Sequence, residues 1–240
     1  MLPRHVGLWI RRPPVPIPGG FRFSSMSSRR TKTPENKPRQ ARAQATIDAI
    51  LEATIRILER ESLDLATTTR IAEIAGVSVG TLYHHFEDRD AIVNALQERE
   101  FTRALAMMQD VLSQENLGTA PREMVERVVR GLAKLYETSP ALHRVLAIEG
   151  LRVANAERVH AFDLRVIDVV RGFLLQSREH LRSDDVEAAA FVAYQSVRAT
   201  MLASLLERPP GLDLEALVKQ LVDLVVRYLI RDDAATQPKS

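Results

Sequence analysis

Between residues 40 and 230 apolar residues recur at spacings of three and four, and no useful stretch alternates apolar with polar residues. That period gives an α-helix one apolar stripe and leaves a half-buried β-strand without a face to bury. An all-α chain is expected. Composition agrees: aromatics are 5% of the 240 residues, Gly and Pro are scarce after Gly20, and Leu, Ala, Val, Arg and Glu dominate, as long packed helices require. Hydrophobic residues at 45% and charged residues at 27% make an ordinary globular balance, and the length allows a small N-terminal module joined to a larger C-terminal one.

The helices can be placed from their caps and breakers. Ile47, Ile50, Leu51, Thr54, Ile55 and Leu58 mark a first helix over residues 40–60. Thr67 can cap a short helix over residues 68–75, which Gly76 ends because glycine enters the left-handed turn conformation at little cost. Ser78 can cap a second short helix to about His85, and Asp88 a long one from Arg89 to about Leu112. After a Gly-containing break at residues 117–119, helical patterns open at Pro121 and Pro140 and run over residues 154–181, 184–207 and 213–230, about nine helices in all.

The segment over residues 67–86 has the layout of a helix-turn-helix. Its first helix turns Ile71, Ala72 and Ala75 inward, a Gly-Val-Ser turn redirects the chain, and Leu82 and Phe86 complete the packing. Ser78, Val79, Gly80, Thr81, Tyr83 and His84 are left on the outer surface of the second helix, where such a helix meets base edges in a major groove. Small residues allow close approach, and hydroxyls and N-terminal amides can donate to phosphates.

Ile71-Ala72, Ala75-Gly76-Val77-Ser78, Gly80-Thr81-Leu82-Tyr83 and Phe86, followed by Arg89 and Ile92, closely resemble the DNA-binding domain of the tetracycline-repressor (TetR) family. The resemblance spans roughly residues 45–95 and implies DNA contacts from Thr67, Ser78, Val79, Gly80, Thr81, Tyr83, His84 and Arg89. Arg89 stands where the family more often has Lys, and either supplies a cation for a phosphate. It also implies a fourth, linking helix and a variable helical C-terminal domain that binds a small molecule and dimerises through its last two long helices. Val186, Ala190, Ala193 and Val197 line one face of the first of these, and Leu217, Leu221, Leu224 and Tyr228 a face of the second. Those eight are the expected dimer interface, with Ala188, Ala199 and Ala203 allowing close helix approach. The same apolar faces could equally form a monomer core.

Charge is distributed unevenly. Residues 1–45 hold ten basic groups (Arg4, Arg11, Arg12, Arg22, Arg29, Arg30, Lys32, Lys37, Arg39, Arg42) against one acid, Glu35, so the remainder of a chain with net charge +2 is acidic. Such an arm suits a polyanion and leaves the body free of nonspecific adhesion to it. The expected organisation is a disordered basic arm over residues 1–39, its first 25 residues reading as an over-extended start, then a DNA-binding domain over 40–88, a regulatory and dimerisation domain over 89–231, and a tail over 232–240.

Several functions have no support. The absence of Cys removes disulfides, thiolate metal sites and cysteine nucleophiles, and is compatible with a cytoplasmic protein. No apolar run is read as approaching the roughly 20 residues that span a bilayer, and five prolines interrupt the stretch through Phe23 that could otherwise resemble a signal sequence. No catalytic or nucleotide-binding motif is recognised, and no cofactor or metal is expected. His84 and His85 point about 100° apart on a helix and lack a third ligand at matching spacing. His143 with Glu149, or His160 with Asp163, are candidate polar groups of a ligand pocket, and Met107, Met108, Met124, Met201, Tyr136, Phe162, Phe173, Phe191 and Tyr194 candidate apolar ones, although plain exposure or pairing for the former and core packing for the latter are the ordinary readings. The leading expectation is a homodimeric regulator that binds double-stranded operator DNA and an unidentified small-molecule effector. A regulator without a ligand, and a helical enzyme or lipid carrier with an incidental motif, stand as alternatives.

Overall fold

A computed structural model describes residues 36–113 and 119–231, with side chains from residue 39 onward. Most of the expected basic arm, the 232–240 tail and most of the break after Leu112 lie outside the described residues. Nine α-helices occupy the described chain: α1 Asn36–Arg60, α2 Thr68–Ala75, α3 Val79–His85, α4 Arg89–Val111, α5 Pro121–Thr138, α6 Pro140–Gly150, α7 Ala156–Gln176, α8 Val186–Glu207 and α9 Leu214–Leu229. Among the described residues there is no strand, only an isolated antiparallel bridge between Leu181 and Ile230.

The starts follow the caps. Thr67, Ser78, Asp88, Asp185 and Asp213 each accept a hydrogen bond from the backbone N–H three residues on, supplying an acceptor that the first helical turn lacks. Gly76 ends α2 at φ +70°, in the left-handed region. Two boundaries differ from expectation. α1 begins at Asn36 rather than Gln40, since Pro38 falls in the first turn, where its missing N–H would have had no intrahelical partner. The pattern expected as one helix over residues 154–181 is α7 with a 3-10 turn at either end, at Val153–Asn155 and Arg178–His180.

Two apolar cores form. The N-terminal one joins Ile50, Ile57, Ile71, Ala72, Leu82 and Phe86 to Ile92, Val93 and Leu96 of α4 and to Leu142 and Leu146 of α6. The division expected at residue 88 therefore does not separate the cores: α4 and α6 both reach into the first. The C-terminal core packs α5, α7, α8 and α9 around Val129, Leu174, Ala190, Met201, Leu221 and Val225.

α8 corrects the reading that nothing in the chain approaches a membrane span. By length and composition it is apolar enough to cross a bilayer, because its alanines count as apolar on every side of the helix. In this fold it packs against α6, α7 and α9 and buries Val186, Ala189, Ala190, Ala193, Tyr194 and Met201.

Candidate nucleic-acid interface and internal cavity

α2 and α3 turn their apolar sides into the N-terminal core: Ile71, Ala72, Leu82 and Phe86 are buried and Ala75 is half-buried against them. The opposite side of α3 faces outward. Ser78, Val79, Gly80, Tyr83 and His84 are exposed and Thr81 half-buried, with Thr67 exposed at the start of α2. Polar pairs hold this face in shape. The Ser78 and Thr81 hydroxyls lie 2.8 Å apart while Ser78 Oγ also accepts from the Thr81 N–H at 3.0 Å, and the Tyr83 hydroxyl lies 3.1 Å from Thr68 Oγ1. Tyr83 is 51% exposed yet tethered. A Cβ added to Gly80 would meet only Ser78 Oγ, at 3.8 Å, so nothing inside the protein requires glycine there.

Arg89 is placed differently from the other expected contacts. It is half-buried, and its Nη1 donates to the Leu63 carbonyl at 3.3 Å, bracing the 3-10 turn Leu63–Leu65 against the start of α4.

The second site is a cavity of about 210 Å³ lined by α4 to α9. Met107, Met108, Met124, Phe162 and Phe173 make much of its wall apolar, where core packing was the ordinary reading for each, and Tyr136 and Tyr194 also line it. Met201 and Phe191 do not: Met201 is buried in the C-terminal core and Phe191 is 51% exposed on the outside of α8. Of the candidate polar groups, His143 and Asp163 line the cavity while Glu149 and His160 do not. His143 pairs with Glu100 of α4 at 3.6 Å, whereas Glu149 pairs with Arg152. Asp163 accepts from the Tyr194 hydroxyl at 2.5 Å and pairs with Arg198 at 3.1 Å, while His160 is exposed. Glu100, Tyr136, Arg198 and Tyr194 were not tied to these partners because each contact joins separate helices and leaves no spacing to read.

Burial would raise the Glu100 pKa, but the imidazole of His143 and the charges of Arg103 and Arg99 together hold its carboxyl below the ordinary range. Burial, followed by donation to Asp163, pushes the Tyr194 phenol upward, and burial does the same at Tyr136. At neutral pH these two tyrosines are hydroxyls and Glu100 is a carboxylate.

α6 connects the sites. Its Leu142 and Leu146 enter the N-terminal core while His143 and Ala147 line the cavity. Its N-terminus has no side-chain cap of its own; the Leu142 N–H donates instead to Glu59 Oε1 of α1 at 2.9 Å.

The expected dimer residues divide into two groups. Val186, Ala190, Ala193 and Leu221 are buried in the protomer's own core, and Val197 packs against it and lines the cavity, so these five are consumed internally. The periodicity showed that each helix has an apolar face but not which neighbour covers it. Leu224 and Tyr228 remain exposed at 56% and 37%, Leu217 is half-buried, and Phe191 and Val192 are exposed on α8.

Residues 50–96 match the model of bacterial regulatory proteins of the tetR family, and residues 120–229 that of the tetracyclin repressor-like C-terminal domain. Together the matches cover well over half of the chain. It belongs to the TetR family. As such it is a helix-turn-helix, DNA-binding transcriptional regulator. Among TetR-type relatives, it is 22% identical over 152 residues to the HTH-type transcriptional regulator SAR0097 of Staphylococcus aureus, covering 62% of this chain and 76% of that one. It is 28% identical over 142 residues to the HTH-type transcriptional repressor AcnR of Corynebacterium glutamicum, covering 52% and 73%. The TetR fold is shared with SmeT, the repressor of the Stenotrophomonas maltophilia multidrug efflux pump SmeDEF, at TM-score 0.64 and 19% identity, over 82% of this chain and 98% of that one. SmeT in complex with triclosan gives a TM-score of 0.65 at 18% identity, over 82% and 99%.

Proposed function

We propose that this regulator is a homodimeric repressor of a near-palindromic operator, released when a small molecule occupies the cavity. The observation that carries this reading is the division of α3: Leu82 is wholly buried while its neighbours Gly80 and Tyr83 are exposed and Thr81 is partly so, the arrangement needed by a helix that reads a groove from a rigid support. Thr67, Ser78, Val79, Gly80, Thr81, Tyr83 and His84 form the reading surface. Arg89 acts there chiefly by bracing α4.

The apolar strip of Phe191 and Val192 on α8 with Leu217, Leu224 and Tyr228 on α9 is the face offered to a second copy. Two copies joined there would carry two heads to successive major-groove faces, and the spacing of those heads becomes the regulated quantity. A ligand acts on it only by favouring one spacing over another. α6 offers the route, with one side on the cavity and its N-terminus held by Glu59 of the DNA-binding domain. SmeT, a repressor that has been seen in complex with triclosan, supports a repressor of this fold that takes a small molecule.

The experiment begins with duplexes selected from a random pool, followed by titration at several salt concentrations. If a dimer makes about 6 to 10 phosphate contacts, affinity falls on the order of 10³ to 10⁵ between 50 and 200 mM salt. Leu224→Glu combined with Phe191→Glu should give monomers in sedimentation and lose the operator, because carboxylates forced into an apolar interface lose hydration without gaining partners. A salt-insensitive complex, or dimers persisting in the double variant, contradicts the proposal.

A further inference from the structure

The polar groups of the cavity are unequally satisfied. Asp163 Oδ1 takes both the Tyr194 hydroxyl and Arg198, and Asp163 is not among the residues with a buried side-chain atom left without a partner. At Glu100 the position is different. Its Oε2 and His143 Nε2 lie 3.6 Å apart, too far to hydrogen-bond; both atoms are buried and neither has another partner. His143 Nδ1 is 2.8 Å from the Ser139 carbonyl, which has no hydrogen to give, so Nδ1 carries one. The 3.6 Å gap leaves Glu100 Oε2, an acceptor, without a donor within hydrogen-bond reach. Tyr136, whose ring centroid is 5.1 Å from that of His143, has a hydroxyl that bonds to no described residue.

We infer that this end of the cavity is the head-group subsite for an effector bearing a hydroxyl, an uncharged and otherwise apolar alcohol or phenol whose O–H donates to Glu100 Oε2. The inference rests on reading the cavity as the effector site. A hydroxyl suits the subsite better than either charged head. Glu100 already has Arg103 Nη1 at 2.9 Å and Arg99 Nε at 3.5 Å, so a buried ammonium would find no uncompensated anion. A carboxylate would meet Glu100 and Asp163, and Arg198, the cation among the lining residues, is already engaged by Asp163. A neutral donor makes a charge-assisted hydrogen bond without carrying a charge into an apolar chamber.

The test is calorimetric titration of the full chain with 1-decanol, decylamine and decanoate, which differ only at the head, repeated on Glu100→Gln. Decanol should bind tightest and decanoate at least about tenfold more weakly. Glutamine keeps one acceptor toward Arg103 and places its own N–H toward His143, so the variant should bind decanol about tenfold more weakly and discriminate less between heads. If Glu100→Gln does not fold, the ranking on the unaltered chain carries the test alone. Tightest binding by decanoate or decylamine overturns the head-group assignment and leaves the cavity reading standing, as does the expected order with no response to a folded Glu100→Gln. Failure of all three to bind overturns the cavity reading as well.

Discussion

The proposed reading head draws its residues from positions 67 to 89, whereas the polar belt of the cavity draws on positions 97 to 198, spread over α4 to α8. In the head, neighbours in sequence are neighbours in space. A capping hydroxyl, a left-handed glycine and an inward leucine each act within a turn or two of their own position, so the pattern of residue types already contains the geometry. In the cavity, Glu100 meets His143 and Asp163 meets Tyr194 only because helices far apart in sequence pack together. The two regions are thus constrained differently: the outer face of α3 can be altered by one substitution without disturbing the fold, while polar groups of the cavity such as Asp163 depend on partners from other helices.

That contrast can be broken first at Leu82. It is fully buried, so Leu82→Ala should lower stability by roughly 2 to 5 kcal/mol in chemical or thermal unfolding, with DNA binding lost only in proportion to unfolding. An unchanged melting curve would mean that α3 is not anchored as described.

A smaller effect is expected where the regions join. Glu59→Ala removes the acceptor that α1 supplies to the start of α6, which should cost about 1 kcal/mol of stability, as loss of a helix cap does. The parent's operator affinity should persist while release by an effector becomes weaker, measured as the shift in operator affinity at saturating ligand. Unaltered release would show that the cavity speaks to the head by another route, α4 being the alternative.

A change in stability of opposite sign is expected at Gly80. Its φ is not in the left-handed region and an added methyl meets only Ser78 Oγ at 3.8 Å, so Gly80→Ala should stabilise α3 by about 0.5 to 1 kcal/mol. The same methyl would stand between the helix and a base edge and weaken operator binding. Higher stability with unchanged affinity would remove Gly80 from the reading surface.

The helix starts at Thr67, Ser78 and Asp88 were legible because a cap is a local device, and so was the inward set Ile71, Ala72, Leu82 and Phe86, because a short helix leaves little choice of buried side. The proposed dimer face was legible only in part. Apolar stripes on α8 and α9 were evident, but Ala190, Ala193 and Leu221 went to the protomer's own core and Leu224 and Tyr228 stayed outside, a division settled by the packing of α5 and α7. The cavity's polar contacts were not legible in the sequence for a related reason. His143 and Glu149, or His160 and Asp163, are near in sequence, yet on a helix a residue three or six positions away competes with whatever the neighbouring helices present, and here those neighbours prevailed.

The outer face of α3 remains the centre of the account, and operator titration of the double variant Thr81→Ala, Tyr83→Phe tests it most directly. Both side chains lie on the outward side, and their hydrogen bonds to Ser78 and Thr68 are local and exposed, so melting should shift by no more than about 0.5 kcal/mol in stability. Affinity for the selected duplex should fall by about 1 to 3 kcal/mol for each good hydrogen bond to a base that the substitutions remove, and by less for one to a phosphate. A double variant that melts like the parent and binds the selected duplex as tightly would contradict the assignment of α3 as the reading helix.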